Sequence, residues 1–185
     1  MATSTATDTR ALRDSFGQFT TGVTVVTSAG TDGVPHGATV NSFTSVSLEP
    51  PLVLVSLHRD SRACVNLVGA PFAVNVLRRQ QQAIGLHFAG VRDTGALVRW
   101  DTPTPGAAPA LENTLATFSC DPYQVVDGGD HLLFLGLVTS FEVRDGEPLV
   151  FHGGRFQRLE AERPAPVLED FGPPGWYGDP MNRPM

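Results

Sequence analysis

The residues best suited to chemistry lie in one polar stretch, from Gly37 to Pro51. Within nine residues this stretch carries five hydroxyl side chains and one amide, namely Thr39, Asn41, Ser42, Thr44, Ser45 and Ser47. Hydroxyls and amides both donate and accept hydrogen bonds, so the segment suits a flat ligand with a polar rim and little charge. An edge strand followed by a Ser/Thr-rich turn would have the same composition, and residue types alone do not separate the two interpretations.

The rest of the sequence contains no familiar catalytic or nucleotide-binding motif. It has no G-x-G-x-x-G after a strand, no P-loop and no G-x-S-x-G turn. The histidines, which are His36, His58, His87, His131 and His152, lack the paired spacing of a metal site. Spacing does not exclude a Ser–His–Asp triad, but nothing supports one. A nucleotide ligand would therefore need a site of another kind.

Composition bounds the class of protein. The 185 residues carry a net charge of -6 and are 41% hydrophobic, which predicts one globular domain. No basic cluster points to nucleic acid. There is no lysine, so a bound phosphate must be met by arginine, hydroxyls or backbone N–H groups. The two distant cysteines, the absence of a signal-peptide pattern and the absence of a long apolar run predict a cytoplasmic protein.

The hydrophobic pattern predicts a β-rich domain over residues 9–160, between a disordered start at 1–8 and a proline-rich tail at 161–185. Leu52–Leu57 is apolar on both faces, which is typical of a strand buried on both sides. Short helices are expected over 9–19, over 62–68 with Ser61 as its cap, and over 80–88. Gly136 predicts a bulge or a sharp bend in a long strand from His131 to Val143, and residues 127–129 predict a tight turn before it. Six or seven strands with two or three helices predict a mainly β, Greek-key antiparallel barrel.

Four segments, in order, resemble the short-chain flavin reductases, the reductase partners of two-component flavin-dependent monooxygenases. The segments are 21–27 (TGVTVVT), 41–53 (NSFTSVSLEPPLV), 72–77 (FAVNVL) and 129–131 (GDH). The resemblance implies a split β-barrel, a homodimer, and FAD or FMN bound near the dimer interface. It also implies hydride transfer from NADH or NADPH to the flavin, and release of reduced flavin to a separate monooxygenase.

The same resemblance assigns flavin-binding residues. The isoalloxazine edge would lie along Ala38, Thr39, Val40, Asn41 and Ser42, with Ser45 as a further contact. The flavin phosphate would be held by Ser56, His58, Arg59 and Ser61, and the flavin tail would be bordered by Phe88 and Ala89.

The pyridine nucleotide would meet three residues. His131 would lie beside the nicotinamide, and Arg155 and Phe156 would lie near the pyridine nucleotide. Hydride transfer needs no proton donor, so His131 is expected to position the ring. A split-barrel oxidase with tightly bound flavin and a non-catalytic flavin or haem binding module remain alternatives. The choices between FAD and FMN, and between NADH and NADPH, stay open at this stage.

Overall fold

A computed structural model describes residues 8–30, 33–101 and 107–159. The segment expected to be disordered, residues 1–8 apart from Asp8, and the proline-rich tail lie outside the described residues. Ten strands and three α-helices follow one another along the chain: α1 Thr9–Phe16, β1 Thr21–Gly22, β2 Thr24–Ala29, β3 Pro35–Val40, β4 Thr44–Leu48, β5 Pro51–His58, α2 Arg62–Leu67, β6 Phe72–Val76, α3 Gln82–Phe88, β7 Ala116–Gly128, β8 His131–Val143, β9 Val150–His152 and β10 Arg155–Gln157. A 3-10 turn, Arg79–Gln81, leads into α3.

The strands form two antiparallel sheets. Seven strands pair in the order β3-β2-β6-β7-β8-β5-β4, and β1, β9 and β10 form a small second sheet. The predicted mainly β class is therefore confirmed. β3 and β4 lie at the two ends of the larger sheet, so β3 has one edge that no other described strand covers. The last residues of β3 can therefore face the end of β5.

Hydrophobic alternation builds a core on each side of β2. Val26 packs with Val55, Phe72 and Phe134 in one cluster, which α2 covers through Leu67. The neighbouring residue Val25 points the other way and packs with a second cluster that includes Leu77 and Leu149. Adjacent strand residues face opposite sides of a sheet, so one β-branched run supplies both cores. β5 buries one face fully, through Val53, Val55 and Leu57, whereas Leu54 and Ser56 on the other face are half-buried, so the expectation of burial on both sides holds only in part.

The helices begin where the sequence offers a cap. Asp8 Oδ1 accepts a hydrogen bond from the Ala11 N–H at 3.0 Å at the start of α1. Ser61 Oγ accepts one from the Cys64 N–H at 3.1 Å at the start of α2, as predicted. In the described part of the chain, no helix is long and apolar enough to cross a membrane.

The longest strand pair differs from the sequence prediction in two ways. The pairing is irregular at two points: Thr139 of β8 is left out between the pairs Ser119–Ser140 and Cys120–Val138, and Tyr123 of β7 is left out between the pairs Pro122–Gly136 and Gln124–Leu135. The irregularity beside Gly136 therefore lies on β7, and the one on β8 falls three residues further along the chain than predicted. Gly136 instead allows close packing, because a Cβ there would lie 2.4 Å from Phe72 Cζ. β7 also continues to Gly128, through the first two residues of the turn predicted at 127–129.

Candidate functional site

The predicted flavin residues surround a cavity of about 320 Å³. It lies where the end of β3, the end of β5 and the start of β8 meet. Its lining residues are Ala38, Thr39, Val40, Asn41, Ser42, Ser56, Leu57, His58, Ser61 and His131. Nine of these ten were singled out from the sequence. Leu57 was missed as a lining residue because its apolar side chain signals only core.

The backbone of β3 gives this cavity its hydrogen-bonding wall. β3 pairs with β2 from Pro35 to Val40, and no other described strand pairs with its outer edge. Every second residue of an edge strand points its N–H and C=O away from the sheet. Alternate backbone groups are thus available to a planar ligand that lies along the strand.

Two hydroxyls of the polar stretch are already used to hold the fold. Thr39 Oγ1 donates to the Gly85 carbonyl at 2.6 Å, which fixes β3 against α3. Ser42 Oγ bonds to the backbone of Ser56. Asn41 and the Ser56 hydroxyl, by contrast, make no side-chain hydrogen bond within the described residues. A ligand would thus meet backbone groups at Thr39 and Ser42, and free side chains at Asn41 and Ser56.

Arg59 stands beside the cavity and is held by the turn between β7 and β8. Its guanidinium is ion-paired with Asp127, and its Nε donates to the Gly129 carbonyl at 2.5 Å. The Gly129 N–H and the Arg59 guanidinium lower the pKa of the Asp127 carboxyl, so this acid stays charged at neutral pH. Arg59 is therefore pre-positioned. A bound phosphate would share the positive charge of Arg59 with the Asp127 carboxylate.

His131 opens β8 at the cavity wall. Its Nδ1 lies 2.7 Å from Asp130 Oδ1. The hydrogen bond from His131 is the main cause of the lowered pKa of Asp130. A carboxylate only accepts hydrogen bonds, so Nδ1 carries the proton and Nε2 is left for a ligand. Asp130 can reach this ring because it lies in the turn, where the alternation of a strand does not apply.

His58 lies against the same histidine. The two imidazole centres are 5.3 Å apart at an interplanar angle of 79°. The Asp60 N–H donates to His58 Nδ1 at 3.2 Å, so the proton of a neutral His58 lies on Nε2. His58 and His131 also oppose each other in the β5–β8 register. His58, expected beside the flavin phosphate, and His131, expected beside the nicotinamide, are therefore in direct contact.

A second cavity, of about 690 Å³, adjoins the first. It is bounded by the end of α1 and the turn between β9 and β10. Its lining residues are Arg13, Asp14, Phe16, Gly17, Gln18, Asn41, His131, Phe151, Gly153 and Gly154. Asn41 and His131 belong to both cavities, so a ligand of one would touch a ligand of the other.

Six residues assigned from the sequence do not line the first cavity: Arg59, which stands beside it, and five others. Ser45 is exposed on β4, opposite Val53. Phe88 packs behind β3, because a Cβ at Gly37 would lie 2.9 Å from its ring, and Ala89 follows it at the end of α3. Arg155 is exposed on β10, and Phe156 packs against Phe151. These contacts make Phe88 and Phe156 supports for neighbouring elements.

The donor set fits a flavin ring and does not suggest a metal. The polar rim of an isoalloxazine carries one N–H donor among several acceptors, and the free edge of β3, Asn41 and Ser56 can match both kinds of group. Ala38 is small and leaves room beside that edge. Residues 8–30, 33–101 and 107–159 contain no cluster of three or more His, Cys, Asp or Glu able to hold a metal ion.

This fold and site agree with known families. A family model described as "Flavin reductase like domain" matches residues 16–160. The chain is 42% identical over 158 residues to the NADH-dependent FAD reductase of Streptomyces globisporus, covering 80% of this chain and 84% of that protein. It is 41% identical over 171 residues to the reductase subunit HsaB of a flavin-dependent monooxygenase from Rhodococcus jostii, covering 89% and 86%. The chain belongs to the flavin reductase-like family.

Some relatives are longer proteins. The chain spans 44% of the probable flavin reductase of Rhizobium meliloti, to which it is 46% identical over 137 residues and 73% of its own length. It spans 59% of a stachydrine N-demethylase reductase subunit of the same organism.

Solved structures show the same fold. The NADH:FAD oxidoreductase of Streptomyces globisporus matches with a TM-score of 0.80 and 38% identity, covering 88% of this chain and 94% of that chain. A structure of that oxidoreductase in complex with NAD and FAD fragments also matches with a TM-score of 0.80. The styrene monooxygenase flavin reductase of Pseudomonas putida matches at 0.74 with 31% identity, covering 82% and 99%. The predicted split-barrel class is thereby confirmed.

Proposed function

We propose that this chain is an NADH:flavin oxidoreductase that reduces FAD or FMN and supplies the reduced flavin to a partner monooxygenase. The observation that carries the proposal is the joined pair of cavities, which share Asn41 and His131. Two ligands placed in them would meet at these residues. Relatives named as an NADH-dependent FAD reductase and as an NADH-dependent FMN reductase support the choice of NADH.

The flavin supplies the redox chemistry when it is bound, by accepting a hydride from NADH. The protein's task is to hold two rings in contact, since hydride transfer needs the reacting atoms roughly 3–3.5 Å apart. Free backbone groups of β3, with Asn41 and Ser56, would hold the flavin rim. His58, Arg59 and Ser61 lie around the end of β5, where a flavin phosphate would meet one cation and the hydroxyl of Ser61.

His131 is the residue proposed to position the nicotinamide. Its Nδ1–H is occupied by Asp130, so Nε2 can accept a hydrogen bond from a carboxamide N–H. The ring is partly exposed and can also lie against a nicotinamide face. No proton has to leave or reach His131 during hydride transfer, so its contribution is orientation.

The remaining proposals concern assembly and surroundings. Large apolar side chains stay exposed on this single chain, among them Leu48 at 72%, Phe141 at 67% and Val143 at 71%. Exposed large apolar side chains often mark protein–protein contacts, which supports a homodimer. The family match over residues 16–160 supports a single domain over 9–160. The reductase of a trigonelline monooxygenase among the relatives supports a monooxygenase partner, and a cytoplasmic location is expected.

One experiment tests the activity. Oxidation of NADH is followed at 340 nm with the purified chain, in turn without flavin, with FMN and with FAD. The proposal expects consumption that depends on added or bound flavin and that is faster with NADH than with NADPH. Equal consumption with and without any flavin would refute it. Sedimentation at micromolar concentration tests the dimer, which a species of 19.7 kDa would exclude.

A further inference from the structure

The turn that precedes His131 is held by a residue from the end of another strand. The Arg59 N–H donates to the Asp130 carbonyl at 3.0 Å, and Arg59 Nε donates to the Gly129 carbonyl at 2.5 Å. The Arg59 guanidinium is also ion-paired with Asp127. We call these four residues, Arg59, Asp127, Gly129 and Asp130, the turn clasp. It joins the chain just after β5 to the turn between β7 and β8.

Asp127 connects the two parts of the turn clasp. Its Oδ1 accepts a hydrogen bond from the Gly129 N–H at 3.0 Å, while its Oδ2 meets the Arg59 guanidinium. A guanidinium holds its donors in fixed directions, so Arg59 can serve a carbonyl and a carboxylate at once. A lysine side chain carries donors only at its tip and could not make the same pair of contacts.

Burial does not fix this turn within the chain. Residues 121–130 are all exposed, and the Asp127 and Asp130 side chains are 77% and 78% exposed. Segments with few buried contacts open most easily. The turn clasp, together with the ladder between β7 and β8, therefore sets where the turn lies.

The direction of the His131 ring follows from the position of the turn. Asp130 Oδ1 lies 2.7 Å from His131 Nδ1, and the carbonyl of the same Asp130 is held by the Arg59 N–H. Arg59 itself does not line the flavin cavity. The contacts thus run from Arg59 through Asp130 to the imidazole, which lines both cavities.

We propose that Arg59 and Asp127 are positioning residues for His131, and through it for the nicotinamide of NADH. The inference rests on the proposed function. It gives Arg59 a task separate from any contact with the flavin phosphate: its positive charge serves the phosphate, and its N–H groups hold the turn. A loosened turn clasp should therefore weaken the binding of NADH more than that of flavin.

Arg59→Lys separates these two tasks. Lysine keeps the positive charge for a phosphate but lacks the Nε–H and the planar fork that hold the turn. At saturating flavin, the KM for NADH should rise about three- to ten-fold, the range for one weakened positioning contact. The flavin Kd and kcat should each change by less than about two-fold. An arginine that served the phosphate alone would show the reverse, with the effect confined to the flavin Kd.

Asp127→Asn attacks the turn clasp from its other side. The KM for NADH should again rise about three- to ten-fold. The flavin Kd should not rise, because the charge of Arg59 is no longer shared with a carboxylate. Glu147→Gln is the matched control, since it breaks another ion pair, with Arg79, in which the arginine side chain is equally exposed at 38%. It should change neither constant, and all three melting temperatures should stay close to that of wild type.

A double variant tests whether the turn clasp acts through the imidazole. In a His131→Ala background, Arg59→Lys should raise the KM for NADH by less than about two-fold further, because the group that it positions is gone. Multiplied effects of the two changes would show that Arg59 acts on NADH by another route, and the inference would be wrong.

The remaining outcomes separate this inference from the function on which it rests. If wild type oxidises NADH with flavin but Arg59→Lys or Asp127→Asn behaves as Glu147→Gln, the positioning role is wrong and the proposed function stands. If His131→Ala leaves the KM for NADH unchanged, the positioning role falls together with the nicotinamide contact of His131. If wild type shows no flavin-dependent oxidation of NADH, the proposed function itself is wrong.

Discussion

The hydroxyl of Ser42 makes the two hydrogen bonds with the backbone of Ser56 that a neighbouring strand would otherwise make. It accepts a hydrogen bond from the Ser56 N–H at 2.9 Å and donates one to the Ser56 carbonyl at 3.0 Å. β4 pairs with β5 only between Pro51 and Leu54, so Ser56 lies past the end of that pairing. One side chain thus satisfies both backbone groups and ties the end of β3 to β5 across the opening of the barrel.

Ser42→Ala should leave both Ser56 backbone groups unpaired. We expect a loss of about 1–3 kcal/mol in the free energy of unfolding, the usual cost of partly buried groups without partners. Flavin affinity should fall as well, because β3 and β5 form two walls of the same cavity. Chemical denaturation and fluorescence titration with FAD and FMN measure the two effects. Ser140→Ala removes an exposed strand hydroxyl and should change neither; equal behaviour of the two variants would contradict the role of Ser42.

His131→Ala should affect the pyridine nucleotide and spare the flavin. Losing one positioning contact costs about 1–2 kcal/mol, so kcat/KM for NADH should fall about ten-fold, mainly through KM. The flavin Kd should change far less than the KM for NADH, although His131 also lines the flavin cavity. Steady-state kinetics and flavin titration provide both numbers. A collapse of flavin binding with normal NADH kinetics would place His131 in the flavin site, and no change in either would make it a strand-end histidine only.

Gly136→Ala should destabilise the protein through packing. The added methyl would approach Phe72 Cζ to 2.4 Å and Cys120 Cβ to 2.9 Å, and all of these atoms lie in the core. Overpacking of this kind costs about 1–3 kcal/mol. Gly22→Ala is the matched control, because nothing lies within 4 Å of its Cβ and its φ is not positive. Melting temperatures compare the two, and an unchanged value for Gly136→Ala would be inconsistent with this packing.

Cys120 should make stability depend on pH in the alkaline range. Burial, with a smaller contribution from Asp121, raises the pKa of this thiol to about 12. An unfolded thiol titrates near about 8.5, so the stabilising contribution is complete below that pH and is lost as pH rises toward 12. Between pH 8 and 10 the wild type should lose about 1–2 kcal/mol more than Cys120→Ala, measured by urea unfolding. Parallel pH curves for the two proteins would contradict this.

Most strands and most site residues could be predicted from the sequence, because the patterns that indicate them are local. The apolar run at Leu52–Leu57 and the cap at Ser61 each depend on a few neighbouring residues. The use of the hydroxyls did not follow, because Thr39 and Ser42 are committed to Gly85 and Ser56, partners far along the chain. The second cavity was missed for the same reason: Arg13 and Gly153 come together only through tertiary packing. Phe151 gave no signal apart from that of a core residue.

The opposition of His58 and His131 across β5 and β8 limits how the chain can vary in length. Side chains on a strand alternate between faces, so one residue inserted or deleted between Gly136 and His131 would turn the imidazole away from the cavity. Changes of length in natural variants should therefore fall in the turn at residues 129–130 or come in pairs along the strand. The register of β8 against β5, more than any single contact, decides which way the His131 side chain faces.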